Sequence, residues 1–163
     1  MKKIFFVLPP LFFTLIFATC KKNPMPDNDY PYFQCKINGK TYIPNGCANC
    51  TKAMLLGDTT LLINGNAGFE SVAIGIINAT SQPIEAITYT LNDNPRSGAD
   101  YKNSTVLTDI FNTDKNHTGQ IKVIKLDKAN KIIQGTFYFK AYNAYRNDSV
   151  SITEGKFLLN ITN

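Results

Sequence analysis

At 163 residues the chain has room for one domain, and a composition of 44% hydrophobic, 18% charged and 12% aromatic residues excludes a wholly disordered polymer. The 17 basic and 12 acidic side chains leave a net charge of +5, and Lys2 and Lys3 supply two of those charges. So small an excess gives no reason to expect a nucleic-acid partner.

The amino terminus opens with Met1-Lys2-Lys3, continues as an apolar run from Ile4 to Ala18, and ends in small residues, Ala18-Thr19, before Cys20. That is the layout of a secretory signal. A permanent helical anchor needs about 20 apolar residues to cross a hydrocarbon core of ~30 Å. This run has 15 and is broken by Pro9-Pro10. Phe17-Ala18-Thr19-Cys20 resembles a bacterial lipobox, with Phe17 where Leu is usual. The resemblance implies that residues 1–19 are removed and that the Cys20 thiol carries diacylglycerol, a palmitate-type anchor in the bilayer. Each buried methylene contributes ~0.8 kcal/mol to such an anchor. Lys22, rather than Asp, lies two places beyond Cys20, which by resemblance to known sorting rules favours the outer membrane; which face it occupies stays open. Residues 20–31 read as the acylated cysteine and an extended tether, because Pro24, Pro26 and Pro31 punctuate a polar stretch.

Residues 32–163 read as a β-rich domain. Phe33, Cys35 and Ile37 alternate with polar neighbours, and Asn38-Gly39 supplies a two-residue turn in which positive φ is cheap. Further strands are expected at 60–64, 71–78, 86–91, 104–111, 120–126, 132–142, 149–153 and 156–162, separated by turn clusters such as Asn92 to Gly98. The clearest alternation sets Ile133, Gly135, Phe137, Phe139 and Ala141 on one face of a strand and Gln134, Thr136, Tyr138, Lys140 and Tyr142 on the other. Phe157, Leu159 and Ile161 repeat it, and Gly155 marks a bend or bulge. No segment of the domain keeps an apolar helical period for three turns. The expected fold class is therefore all-β, an antiparallel β-sandwich, with a flattened closed β-barrel as the alternative.

Candidate chemistry is sparse. In an oxidising compartment the three domain cysteines, Cys35, Cys47 and Cys50, favour a structural disulfide. A bridge from Cys35 to either loop cysteine closes about 15 residues, worth ~3 kcal/mol in the chain-entropy estimate. A redox pair in Cys47-Ala48-Asn49-Cys50 would need a helix start that is not visible. A zinc site would need His117, the single histidine, as fourth ligand. His117 lies in a turn-like stretch without a nucleophile-elbow pattern near it. Asp93 with Asp100, or Asp109 with Asp114, could serve glycoside cleavage, but carboxylates among Asn and Gly more often cap turns. Lysines at 115, 122, 125, 128, 131 and 140 gather in the second half, as a solvated face or as a site for anionic groups. Tyr89, Tyr101, Tyr138, Tyr142 and Tyr145 offer flat amphipathic surface, and Tyr138, Tyr142 and Tyr145 are the ligand-binding candidates.

The segments Phe33 to Lys40, Gly135 to Phe139 and Ile152 to Phe157 resemble those of small bacterial cell-envelope lipoproteins whose β-rich domain is of unknown function. The resemblance covers most of residues 32–162 and implies a fold and an envelope location, with no catalytic residue. The expected function is a membrane-anchored domain that binds an envelope protein or other ligand, needing no cofactor and no metal. A glycan-binding accessory domain is the alternative, and a hydrolase with an unrecognised site is third. The oligomeric state is not legible in the sequence.

Overall fold

The computed structural model describes residues 32–44, 49–78, 82–92 and 97–162. The signal, Cys20, the tether, Cys47 and Asp93 lie outside them. Among the described residues the strands are, in chain order, β1 (Tyr32–Ile37), β2 (Lys40–Tyr42), β3 (Thr51–Leu56), β4 (Thr60–Ala67), β5 (Glu70–Ile77), β6 (Thr88–Leu91), β7 (Gly98–Lys102), β8 (Ile110–Asn112), β9 (Gly119–Asp127), β10 (Ile132–Asn143) and β11 (Asp148–Thr162). The only helical piece among them is a 3₁₀ turn, Leu107–Asp109, so no described helix is long and apolar enough to cross a membrane.

The extensive ladders sort these strands into two antiparallel layers. One runs β2-β1-β11-β10-β9-β6 and the other β3-β4-β5-β7-β8. Both seams between the layers come from the long β10–β11 hairpin. Tyr142 of β10 pairs with Asn112 of β8, and Ile161 and Thr162 of β11 run parallel to Ala53 and Met54 of β3. The 15 residues of β11 span ~50 Å at ~3.3 Å each, enough to cross one layer and reach the edge of the other. The fold is thus an all-β sandwich made from one mixed sheet folded over a shared core.

Side-chain alternation puts the core where the sequence expects it. Ile133, Phe137, Phe139 and Ala141 from β10 and Phe157, Leu159 and Ile161 from β11 are all buried, facing Leu61, Ile63, Val72, Ile74 and Ile76 of the second layer. Gly65 gives Phe33 room, since a Cβ there would lie 2.6 Å from its ring. Asn38 and Gly39 have φ of +47° and +82°, the primed turn expected of Asn-Gly. Tyr42 then reaches across from β2, and its hydroxyl lies 2.9 Å from the carbonyls of both Gly65 and Glu70. That contact ties the hairpin to the opposite layer.

Several boundaries differ from the sequence reading. β3 and β7 were not expected. Residues 104–109 are not strand: Ser104 Oγ accepts the Val106 N–H, and the 3₁₀ turn follows before β8 begins. The two expected carboxy-terminal strands are one, continuous through a bulge.

Candidate functional site

The bulge shapes the outward face of the six-stranded layer. Between Phe137 and Phe139 of β10, β11 advances three residues, from Gly155 to Ile152, and the same extra residue interrupts its ladder with β1. Glu154 takes the left-handed conformation at φ +52°, and Gly155 turns inward onto the Phe137 ring, where a Cβ would meet three ring carbons at 2.6 Å. The result is an open hollow of about 410 Å³ on the solvent face, lined in part by Thr88, Gln120, Lys122, Thr136, Tyr138 and Lys156.

Register brings those side chains together. Thr88 pairs with Lys122, Lys122 with Thr136, and Thr136 with Lys156. The second row places Thr90, Gln120 and Tyr138 side by side. Tyr138 is 52% exposed, so much of its ring is free for contact. Glu154 also lines the hollow but is paired with Lys36 at 2.7 Å. Lys122 and Lys156 form no ion pair among the described residues. Sequence reasoning found Tyr138 and Lys122 but missed Thr136, Gln120 and Lys156, because cross-strand register is not written in the order of residues.

The other two tyrosine candidates lie elsewhere, at the β10–β11 turn, beside a hollow of about 300 Å³. Tyr142 stacks on His117 with ring centroids 4.8 Å apart and 7° between planes, and its hydroxyl donates to Asn147 Oδ1 at 2.7 Å. One ring face and the hydroxyl are therefore already engaged. Tyr145 is 84% exposed. Asn143, almost fully buried, organises the turn: its Oδ1 accepts the N–H groups of Tyr145 and Arg146, and its Nδ2 donates to the Thr108 carbonyl.

The carboxylates weighed for hydrolysis have individual partners. Asp114 Oδ1 accepts the backbone N–H groups of Asn116 and His117 and lies 3.0 Å from His117 Nδ1. Burial pushes the Asp114 carboxyl up, but the His117 ring and these backbone donors outweigh it and hold it low. Asp109 accepts from Arg146 at 2.6 and 2.8 Å, and that guanidinium is the main cause of its lowered pKa. Asp100, beside Asn112 on β7, is pushed up to about 6 by burial, with Lys102 pulling the other way. Tyr101, expected at the surface, is buried and donates to Glu70 Oε1 at 2.7 Å.

The expected Cys35 bridge is not formed. Cys35 is a free thiol inside the core, paired across the hairpin with Tyr42. Burial, and after it the charge of Glu70, pushes that thiol up to about 12. Its side chain belongs to the packed interior and so is not offered to the loop. Cys50 is disulfide-bonded, but no bridge joins two described residues. Among the described residues no group of three or more His, Cys, Asp or Glu side chains could hold a metal ion.

These observations define an all-β sandwich domain with a polar, tyrosine-bearing hollow on its outer face. Residues 29–159 match the family described as Domain of unknown function (DUF6252), and the chain belongs to that family. No curated protein and no solved structure matches the chain.

Proposed function

We propose that the chain is an exported envelope lipoprotein, held in the outer membrane by acylated Cys20, whose β domain works as a binding module through the outward face around Tyr138. The support for the address is the cationic start, the short apolar run and Ala18-Thr19-Cys20. The single observation that carries the binding reading is the hollow itself. It combines a half-exposed aromatic ring with hydroxyl, amide and ammonium groups on a rigid sheet, the mixture that orients a polar ligand. On this reading the polar stretch before the domain acts as a tether that lets the domain stand clear of the bilayer.

Two measurements test the proposal. Metabolic palmitate labelling and fractionation of cells should find label and membrane association in the native chain and neither in the Cys20→Ser form. A photo-crosslinking residue at position 136 should then capture envelope material, whereas one at position 62, on the outward face of the other layer, should not. Label-free, fully soluble native protein overturns the address. Equal capture from both positions overturns the choice of face.

A further inference from the structure

Of everything the surface presents, the row Lys122-Thr136-Lys156 is the most specific. The two lysines flank a short threonine on the central strand, one on β9 and one on β11. Two strand spacings put their backbones roughly 9–10 Å apart, a gap across which two flexible ammonium groups can close on one anionic group. The carboxylate that lines the hollow, Glu154, is ion-paired through Oε1 with Lys36, whereas Lys122 and Lys156 form no ion pair among the described residues. Tyr138 stands one row along, and Thr88 and Gln120 add hydroxyl and amide groups at the rim.

We infer that this hollow holds an acid-bearing sugar of an anionic polysaccharide, with the Tyr138 ring against a pyranose face and Lys122 and Lys156 on the carboxylate. The inference rests on the binding reading above and names its ligand class. The chemistry is complementary at each point. A sugar ring offers C–H groups to an aromatic face, hydroxyls to Thr and Gln, and, in a uronate, a planar charge for two ammonium donors. A lipid surface needs its cations on a protruding face. Here Lys122 and Lys156 border a recess whose volume of about 410 Å³ falls within the ~300–1,000 Å³ usual for small-ligand sites.

The test is affinity electrophoresis of the detergent-extracted full chain through gels containing polygalacturonate, alginate, hyaluronan or neutral dextran. Retardation is expected on at least one uronate polymer and not on dextran. The Lys122→Gln/Lys156→Gln pair and Tyr138→Ala should each raise the apparent dissociation constant by about tenfold or more. Tyr138→Phe should retain binding. Lys52→Gln/Lys115→Gln, which removes the same charge elsewhere, should leave it unchanged. Circular dichroism of each variant establishes that it is folded, and the lysine pair, being on the surface, decides the question even if Tyr138→Ala misfolds. The inference is overturned by no retardation on any uronate, or by retardation indifferent to the lysine pair. Lysine-dependent cosedimentation with phosphatidylglycerol vesicles, without uronate binding, overturns it in favour of a lipid surface. Tyr138-dependent binding of dextran alone overturns the acidic ligand while leaving the binding face in place.

Discussion

Gly155 is the residue on which the hollow turns, and its replacement by Ala offers a quantitative check of the packing beneath it. An added Cβ would lie 2.6 Å from three carbons of the Phe137 ring, about 1 Å inside the normal ~3.5–4.0 Å carbon contact. The ring has little freedom to retreat. Phe33 and Phe157 stand at centroid distances of 5.2 and 6.3 Å, and Phe139 at 6.4 Å. Gly155→Ala should therefore cost about 1–3 kcal/mol, as overpacked cores do. Phe137→Leu alone should cost about 1–2 kcal/mol, less than the ~3–5 of truncation to Ala. In the double variant the smaller Leu relieves the overlap, so its cost should fall short of the sum of the two single costs by about 1 kcal/mol. Urea unfolding followed by far-UV circular dichroism measures all four corners of this cycle. Additivity within ~0.5 kcal/mol would refute the contact as the reason for glycine at this position.

Other consequences concern charge, thiols and the chain end. Burial pushes the Asp100 carboxyl up to about 6 in the folded state, against ~3.9 in the unfolded chain. The folded state holds the more protons between those values, so the contribution of this group is most favourable below about pH 4 and is lost as pH rises to about 6. Asp100→Asn should stabilise the protein at pH 7.5 by on the order of 2–3 kcal/mol and leave it unchanged at pH 4, as read by urea midpoints; an equal effect at both values contradicts the burial argument. Peptide mapping without reduction should find Cys50 in a disulfide and Cys35 free. Cys35 should react with a thiol reagent only after denaturation, and prompt labelling of the native protein would contradict its place in the core. Deleting residues 157–162 removes Phe157, Leu159 and Ile161, each buried and worth ~1.5–3 kcal/mol. That loss is comparable with a total stability of ~5–15 kcal/mol, so the truncated chain should show no cooperative thermal transition.

Legibility in the sequence followed local signals. Asn38-Gly39 has one cheap conformation, and the alternation through residues 132–142 and 156–162 reports directly which side meets the core. Gly155 marks its bulge because a glycine inside a strand pattern signals a bend or a close approach by a neighbour. β3 escaped notice because Ala53 is its one buried residue, while Met54 and Leu55 blur the alternation. β7 is short, begins in a turn cluster and carries the charge of Asp100, and only its pairing with β5 and β8 makes it a strand. Residues 104–109 look extended by composition, yet the Val106 N–H donated to Ser104 Oγ and the Asp109–Arg146 pair hold them otherwise. The binding face was half legible. Tyr138 and Lys122 were identifiable as outward and polar, but their meeting with Lys156 depends on strands far apart in the chain.

The most direct measurement is lysine acylation of the protein in intact envelopes against the same protein purified in detergent, quantified residue by residue. Occupation of the Tyr138 face predicts that Lys122 and Lys156 are protected in the envelope while Lys52 and Lys115 label equally in both. Identical labelling of all four in the two settings would contradict it.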